Sequence, residues 1–133
     1  MRDTIKKHKD FLMRDDDPLA RSPYFFVRAK RARFPDNPRV GFTATKRTFR
    51  LAVERNRAKR LLRDWVRHHS DLMSASFDYV FIARPGVLGA TRPEGRIAIE
   101  KALRYIMHTY APNERLPKKY LPKKKHKKNA KNS

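Results

Sequence analysis

Cysteine is absent from these 133 residues, which excludes disulfides and thiolate metal sites. That suits a reducing compartment, and a cytoplasmic protein is expected. Acid is scarce as well. Asp and Glu number 13 against 34 Lys and Arg, leaving a formal net charge of +21 and a pI of about 11.0. A chain this basic repels itself, and the usual compensation is a polyanionic partner: nucleic acid, an anionic membrane surface or an acidic protein. No apolar run approaches the ~20 residues that span a bilayer. The opening MRDTIKKHK has no apolar segment after its charges, so it reads as no secretory signal. No internal repeat is evident.

What is present is enough for one modest core. The hydrophobic fraction is 39%, with eight Phe, five Tyr and one Trp. The length fits a single domain, expected over residues 1–114. Residues 115–133 form a tail that ends in KKYLPKKKHKKNAKNS, Lys-rich and without acid or periodicity. Such a segment is expected to stay disordered. It either adds weak attraction for a polyanion or only solubilises the end.

Residues 8–14 can form a short helix carrying Phe11 and Leu12, stopped by Asp15-Asp16-Asp17-Pro18. Residues 24–29 (YFFVRA) are aromatic and bounded by turn residues, which predicts a strand. Residues 34–38 (FPDNP) read as a loop. In residues 39–45 Val40, Phe42 and Ala44 alternate with Gly41, Thr43 and Thr45, a strand with two unlike faces. A helix is predicted over residues 50–69. The apolar run DYVFIA at 78–83 suits a buried strand. Thr91-Arg92-Pro93-Glu94 fits a capping box. The helix after it puts Ile99, Ala102, Leu103, Ile106, Met107 and Tyr110 on one stripe. The expected fold is α/β, of two-layer α+β type. A small mixed central sheet of about four strands carries three helices in the order α-β-β-(β)-α-β-α, the optional strand being residues 31–34.

Each helical residue advances ~100°, so with Leu51 at zero Leu61, Trp65, Ala58, Leu62 and Val66 fall between about −80° and +60°. Lys59, Arg63, Asn56, Arg67 and Arg60 fall between about 80° and 180°. Arg55 and Arg57 flank the apolar arc. Lys46, Arg47 and Arg50 extend the charge into the preceding turn, and only Glu54 and Asp64 oppose it. An ordinary solvated face mixes signs at i, i+4. Here Arg60, Arg63 and Arg67 stack as like charges. Guanidinium groups bind phosphate oxygens bidentately and stack on bases, so this face predicts RNA binding through the phosphate backbone. The adjacent His68 and His69 could suggest acid–base catalysis, but they diverge by ~100° at the helix end, and a surface or helix-end role fits better.

The strand RVGFTATKR at 39–47, followed by AVERNRAKRLLR at 52–63, resembles the protein subunit of bacterial ribonuclease P. The shared pattern is an RVG strand, a basic pair, then an Arg-Asn-Arg helix running into K-R-x-x-R. Lys9-Asp10-Phe11 and DYVFIAR at 78–84 resemble two further landmarks of that family. The likeness spans about residues 5–110. It implies a left-handed βαβ crossover. It implies a protein that carries no catalytic residues and no metal of its own. A large catalytic RNA with bound Mg²⁺ would remove the 5′ leader from precursor tRNA, with one protein per RNA and no membrane involved.

By the same resemblance, RNA would be bound by Lys46, Arg47, Arg55, Asn56, Arg57, Lys59, Arg60, Arg63 and Arg67. The leader would lie in a cleft lined by Phe11, Arg28, Thr43 and Arg84. Phe11 either stacks on a base, worth ~1–3 kcal/mol, or belongs to the core. Asp15 and Arg28 stand where the family commonly has aromatics. Arg28 keeps a stacking surface through its guanidinium, whereas Asp15 would repel phosphates unless paired. The alternative is a general RNA-binding module such as a small ribosomal protein. An interfacial membrane protein is disfavoured, because the helix's apolar side is needed for the core.

Overall fold

The computed structural model describes residues 3–5, 18–32, 34 and 37–110. Five strands form one mixed sheet: β1 (Asp3–Thr4), β2 (Leu19–Arg21), β3 (Phe25–Arg31), β4 (Arg39–Thr43) and β5 (Phe77–Ala83), in the spatial order β1-β4-β5-β3-β2. β4 pairs with β1 and β5 in parallel, while β3 pairs antiparallel with β5 and β2. Two helices follow the expected pattern, α1 (Ala52–Arg67) between β4 and β5, and α2 (Arg92–Tyr110) after the sheet.

Register decides which side chains face the helices. Val40 stands beside Tyr79, Phe42 beside Phe81, Val27 beside Phe81 and Phe25 beside Ala83. All seven join one core cluster with Ala58, Leu62, Trp65 and Val66 of α1 and Ile99, Ala102, Leu103 and Ile106 of α2. Alternation then sends Gly41, Thr43, Val80, Ile82, Phe26 and Arg28 to the opposite face. Phe42 stacks on Phe81 at 5.6 Å, and Phe25 meets the same ring edge-on at 5.8 Å.

The sheet has five strands rather than about four. The two unforeseen ones are β1, of two residues, and β2, of three. Neither is long enough to show a period of two. The described residues of the 31–34 segment add no strand of their own. β3 runs on to Arg31, and the Ala32 amide then bonds the Ser76 carbonyl at 2.8 Å. Leu51, placed on the apolar arc by helical geometry, is 58% exposed because it is the N-cap of α1 in extended conformation. The expected helix over residues 8–14, the tail at 115–133 and the side chain of Tyr110 lie outside the described residues.

The capping box at the start of α2 forms in both directions. The Thr91 amide donates to Glu94 Oε1 at 2.8 Å, and the Glu94 amide donates to Thr91 Oγ1 at 3.2 Å. These two Thr91 bonds, the backbone one first, hold the Glu94 carboxyl below its usual 4.5. A lowered folded pKa gives stability that is complete above the unfolded value and lost as pH falls through the folded one. Melting temperature followed from pH 7 to pH 3 should therefore fall less steeply in Glu94→Ala than in the parent. Parallel curves would show that the box contributes nothing.

Candidate nucleic-acid interface

The turn between β4 and α1 sets the approach to the cationic helix. Thr45 organises it: the Phe49 amide bonds the Thr45 carbonyl at 2.9 Å, and the Thr48 amide bonds Thr45 Oγ1 at 3.2 Å. Phe49 is buried under the turn, which leaves Lys46, Arg47 and Arg50 exposed on its outside. Arg55 reaches back from α1 and donates through Nη1 to the carbonyls of Phe49 at 2.8 Å and Arg50 at 3.1 Å. It ties the turn to the helix. Its guanidinium is thus partly committed to the fold.

Asn56, Arg57, Arg60, Arg63 and Arg67 are exposed, and Lys59 is half-buried. From Lys46 to Arg67 nine Lys and Arg face only Glu54 and Asp64. Arg67 pairs with Asp64 at 2.9 Å. Arg63 leans over the Phe42 ring at 5.2 Å from its centroid, a cation–π contact that anchors the ridge to the rim of β4. Among the described residues no side chain caps the α1 N-terminus. Its first amides and the positive end of the helix dipole therefore face outward beside Arg50, an arrangement suited to an anion.

Arg28, Thr43 and Arg84 come together on the sheet face away from the helices. Thr43 aligns with Ile82, which aligns with Phe26; Arg28 lies one pair along, beside Val80. Arg84 crosses this face with its guanidinium 4.8 Å from the Phe26 centroid and Nη1 donating to the Ser22 carbonyl at 3.0 Å. Phe11 and Asp15 lie outside the described residues.

Sequence reasoning missed Phe26 and Arg21, which share this face through the Arg21–Phe26 pair. The signal was available: Phe26 is the out-of-phase aromatic in YFFVRA. A groove of about 700 Å³ between β2 and α2 brings together Tyr24, Ile97 and Tyr105 with the mixed charges Arg21, Lys101 and Glu94. No α1 residue lines it, so it is separate from the cationic ridge. Among the described residues no three His, Asp or Glu side chains group as a metal ion requires. Among the same residues, no helix is long and apolar enough to cross a membrane.

Comparison with known proteins converges on one family. The family model described as Ribonuclease P matches residues 2–107. A ribonuclease P protein component from Brucella suis is 37% identical over 95 residues, covering 65% of this chain and 67% of that one. One from Caulobacter vibrioides is 47% identical over 85 residues, covering 62% of this chain and 56% of the relative. In fold the chain is similar to the ribonuclease P protein from Thermotoga maritima. The TM-score is 0.65 at 23% identity, over 79% of this chain and 98% of the other. The Staphylococcus aureus protein gives a TM-score of 0.60 at 24% identity, over 77% and 93%.

Proposed function

The chain belongs to the ribonuclease P protein family, the protein component of an enzyme of tRNA processing, and on that premise we propose how its surface divides the work. The α1 ridge of Lys46, Arg47, Asn56, Arg57, Lys59, Arg60, Arg63 and Arg67 grips RNA backbone, with Arg55 holding the turn from which the ridge starts. The opposite sheet face, through Arg28, Thr43, Phe26 and Arg84, takes the 5′ leader of precursor tRNA, together with Phe11. The catalytic RNA, with its own Mg²⁺, makes the cut; the protein positions, one copy per RNA. By the same family likeness the β4–α1–β5 crossover is left-handed.

The observation that carries this reading is the imbalance from Lys46 to Arg67: nine cations to two acids, most of them exposed, on a turn and a helix whose other side is buried in the core. Stability gives no reason for such a face, since like charges along a helix repel. A polyanion does. Arginine rather than lysine predominates, as bidentate phosphate contact favours.

Fold and binding can be separated, because Arg57 and Arg60 are exposed and outside the core. Arg57→Glu with Arg60→Glu should weaken binding to the ribonuclease P RNA by on the order of fiftyfold at 0.1 M salt, given a salt slope of roughly 0.7–0.9 per phosphate contact taken over the decade from about 1 M down to 0.1 M. Filter binding and thermal unfolding of the same sample check this. Unchanged affinity in a folded double variant would refute the α1 reading. Protein freed of RNA should leave precursor tRNA uncut; cleavage by the protein alone would refute the assignment of chemistry to the RNA.

A further inference from the structure

Beyond the ridge, the end of α1 meets the start of α2 at a second cationic cluster. Arg67 Nη2 lies 2.9 Å from Asp64 Oδ1, and Arg92 Nε lies 3.6 Å from Asp64 Oδ2. His68 Nε2 is 3.9 Å from Oδ1, and Arg96 Nη2 sits 2.7 Å from the same imidazole nitrogen. A guanidinium can only donate, so in this contact His68 Nε2 takes the acceptor role. Two guanidinium groups thus share one carboxylate, and a third rests on the imidazole beside it. The acids of α2 do not redress this, since Glu94 closes the capping box and Glu100 pairs with Arg104 at 3.2 Å.

An interhelix clamp would need one guanidinium, not three. The side chains of Arg67 and Arg92 are 66% and 68% exposed, and exposed ion pairs add little to stability. Arg92 and Arg96 are one helical turn apart on the first turns of α2, where the helix dipole adds further positive potential. Arg60, Arg63 and Arg67 lead along α1 to this point.

We infer that Arg67, Arg92 and Arg96, with His68 orienting Arg96, form a second phosphate site that carries bound RNA off the end of the α1 ridge and onto α2. It rests on the reading that the ridge holds RNA, and it extends the footprint from α1 to α2.

The full chain carrying Arg92→Gln and Arg96→Gln is titrated with ribonuclease P RNA from 0.05 to 0.4 M salt, beside the parent and the Arg57→Glu/Arg60→Glu variant. Loss of two contacts should flatten the slope of log affinity on log salt by roughly 1.4–1.8 and weaken binding at least tenfold at 0.1 M. A slope equal to the parent's in a folded double variant overturns the α2 site, even if the α1 variant binds poorly. Should the α2 variant flatten the slope while the α1 variant does not, the α2 site stands and the ridge reading falls. Asp64→Asn supplies a test of opposite sign. Removing the one carboxylate should tighten binding, and weaker binding by folded Asp64→Asn would overturn the inference.

Discussion

Replacing Asp78 with alanine should cost the fold about 3–5 kcal/mol, the usual penalty for stranding one member of a buried ion pair. Asp78 is fully buried and Arg39 is 9% exposed. One carboxylate oxygen accepts the Arg39 amide at 2.7 Å and the other accepts Arg39 Nη2 at 3.2 Å. The guanidinium also lies 5.1 Å from the Phe34 centroid. This pair sits where β4 begins beside β5, so it helps fix the register that puts Thr43 on one face and Phe42 on the other. Urea unfolding followed by circular dichroism reads the loss directly. A change below about 1 kcal/mol would mean that water or rearrangement relieves the stranded charge. Arg39→Met with Asp78→Leu should recover most of the loss, because an apolar pair of similar volume removes both desolvation costs.

That pair also shows where the sequence is legible and where it is not. Ala58, Leu62, Trp65 and Val66 follow a helical period, and Val40 and Phe42 alternate with Gly41 and Thr43. Both patterns are local, so both faces could be assigned before any contact was known. The capping box was legible because Thr91 and Glu94 are three residues apart. Arg39 and Asp78 are 39 positions apart, and nothing local marks them as partners. The sequence showed only a basic strand start and an acid heading an apolar run. The candidate site divides in the same way. The α1 ridge follows from helical arithmetic, whereas the union of Arg28, Thr43, Phe26 and Arg84 requires the register of three strands. Likewise the Asp64 cluster requires α2 to pack beside the end of α1, which no periodicity states.

Gly95→Ala should destabilise this protein by about 1–3 kcal/mol, against the gain of about 1 kcal/mol that helix propensity alone predicts. Gly95 lies in the first turns of α2 and is buried. A methyl group there would run into Cε2, Cδ2 and Cζ2 of the Trp65 indole. Trp65 has little room to withdraw: it is 1% exposed and meets Tyr24 edge-on at 6.1 Å. The glycine therefore serves the close approach of α1 and α2, with the indole set against Gly95, and not any unusual backbone angle. Trp65→Ala should itself cost about 3–5 kcal/mol by leaving a cavity. Together the two should cost less than their sum, since the alanine methyl no longer meets a ring, with a coupling of about 0.5–3 kcal/mol. A double-mutant cycle in urea measures it. A stabilised Gly95→Ala, or strict additivity with Trp65→Ala, would show that the helices separate freely. In that case the surface joining Arg67 to Arg92 and Arg96 would have no rigid base.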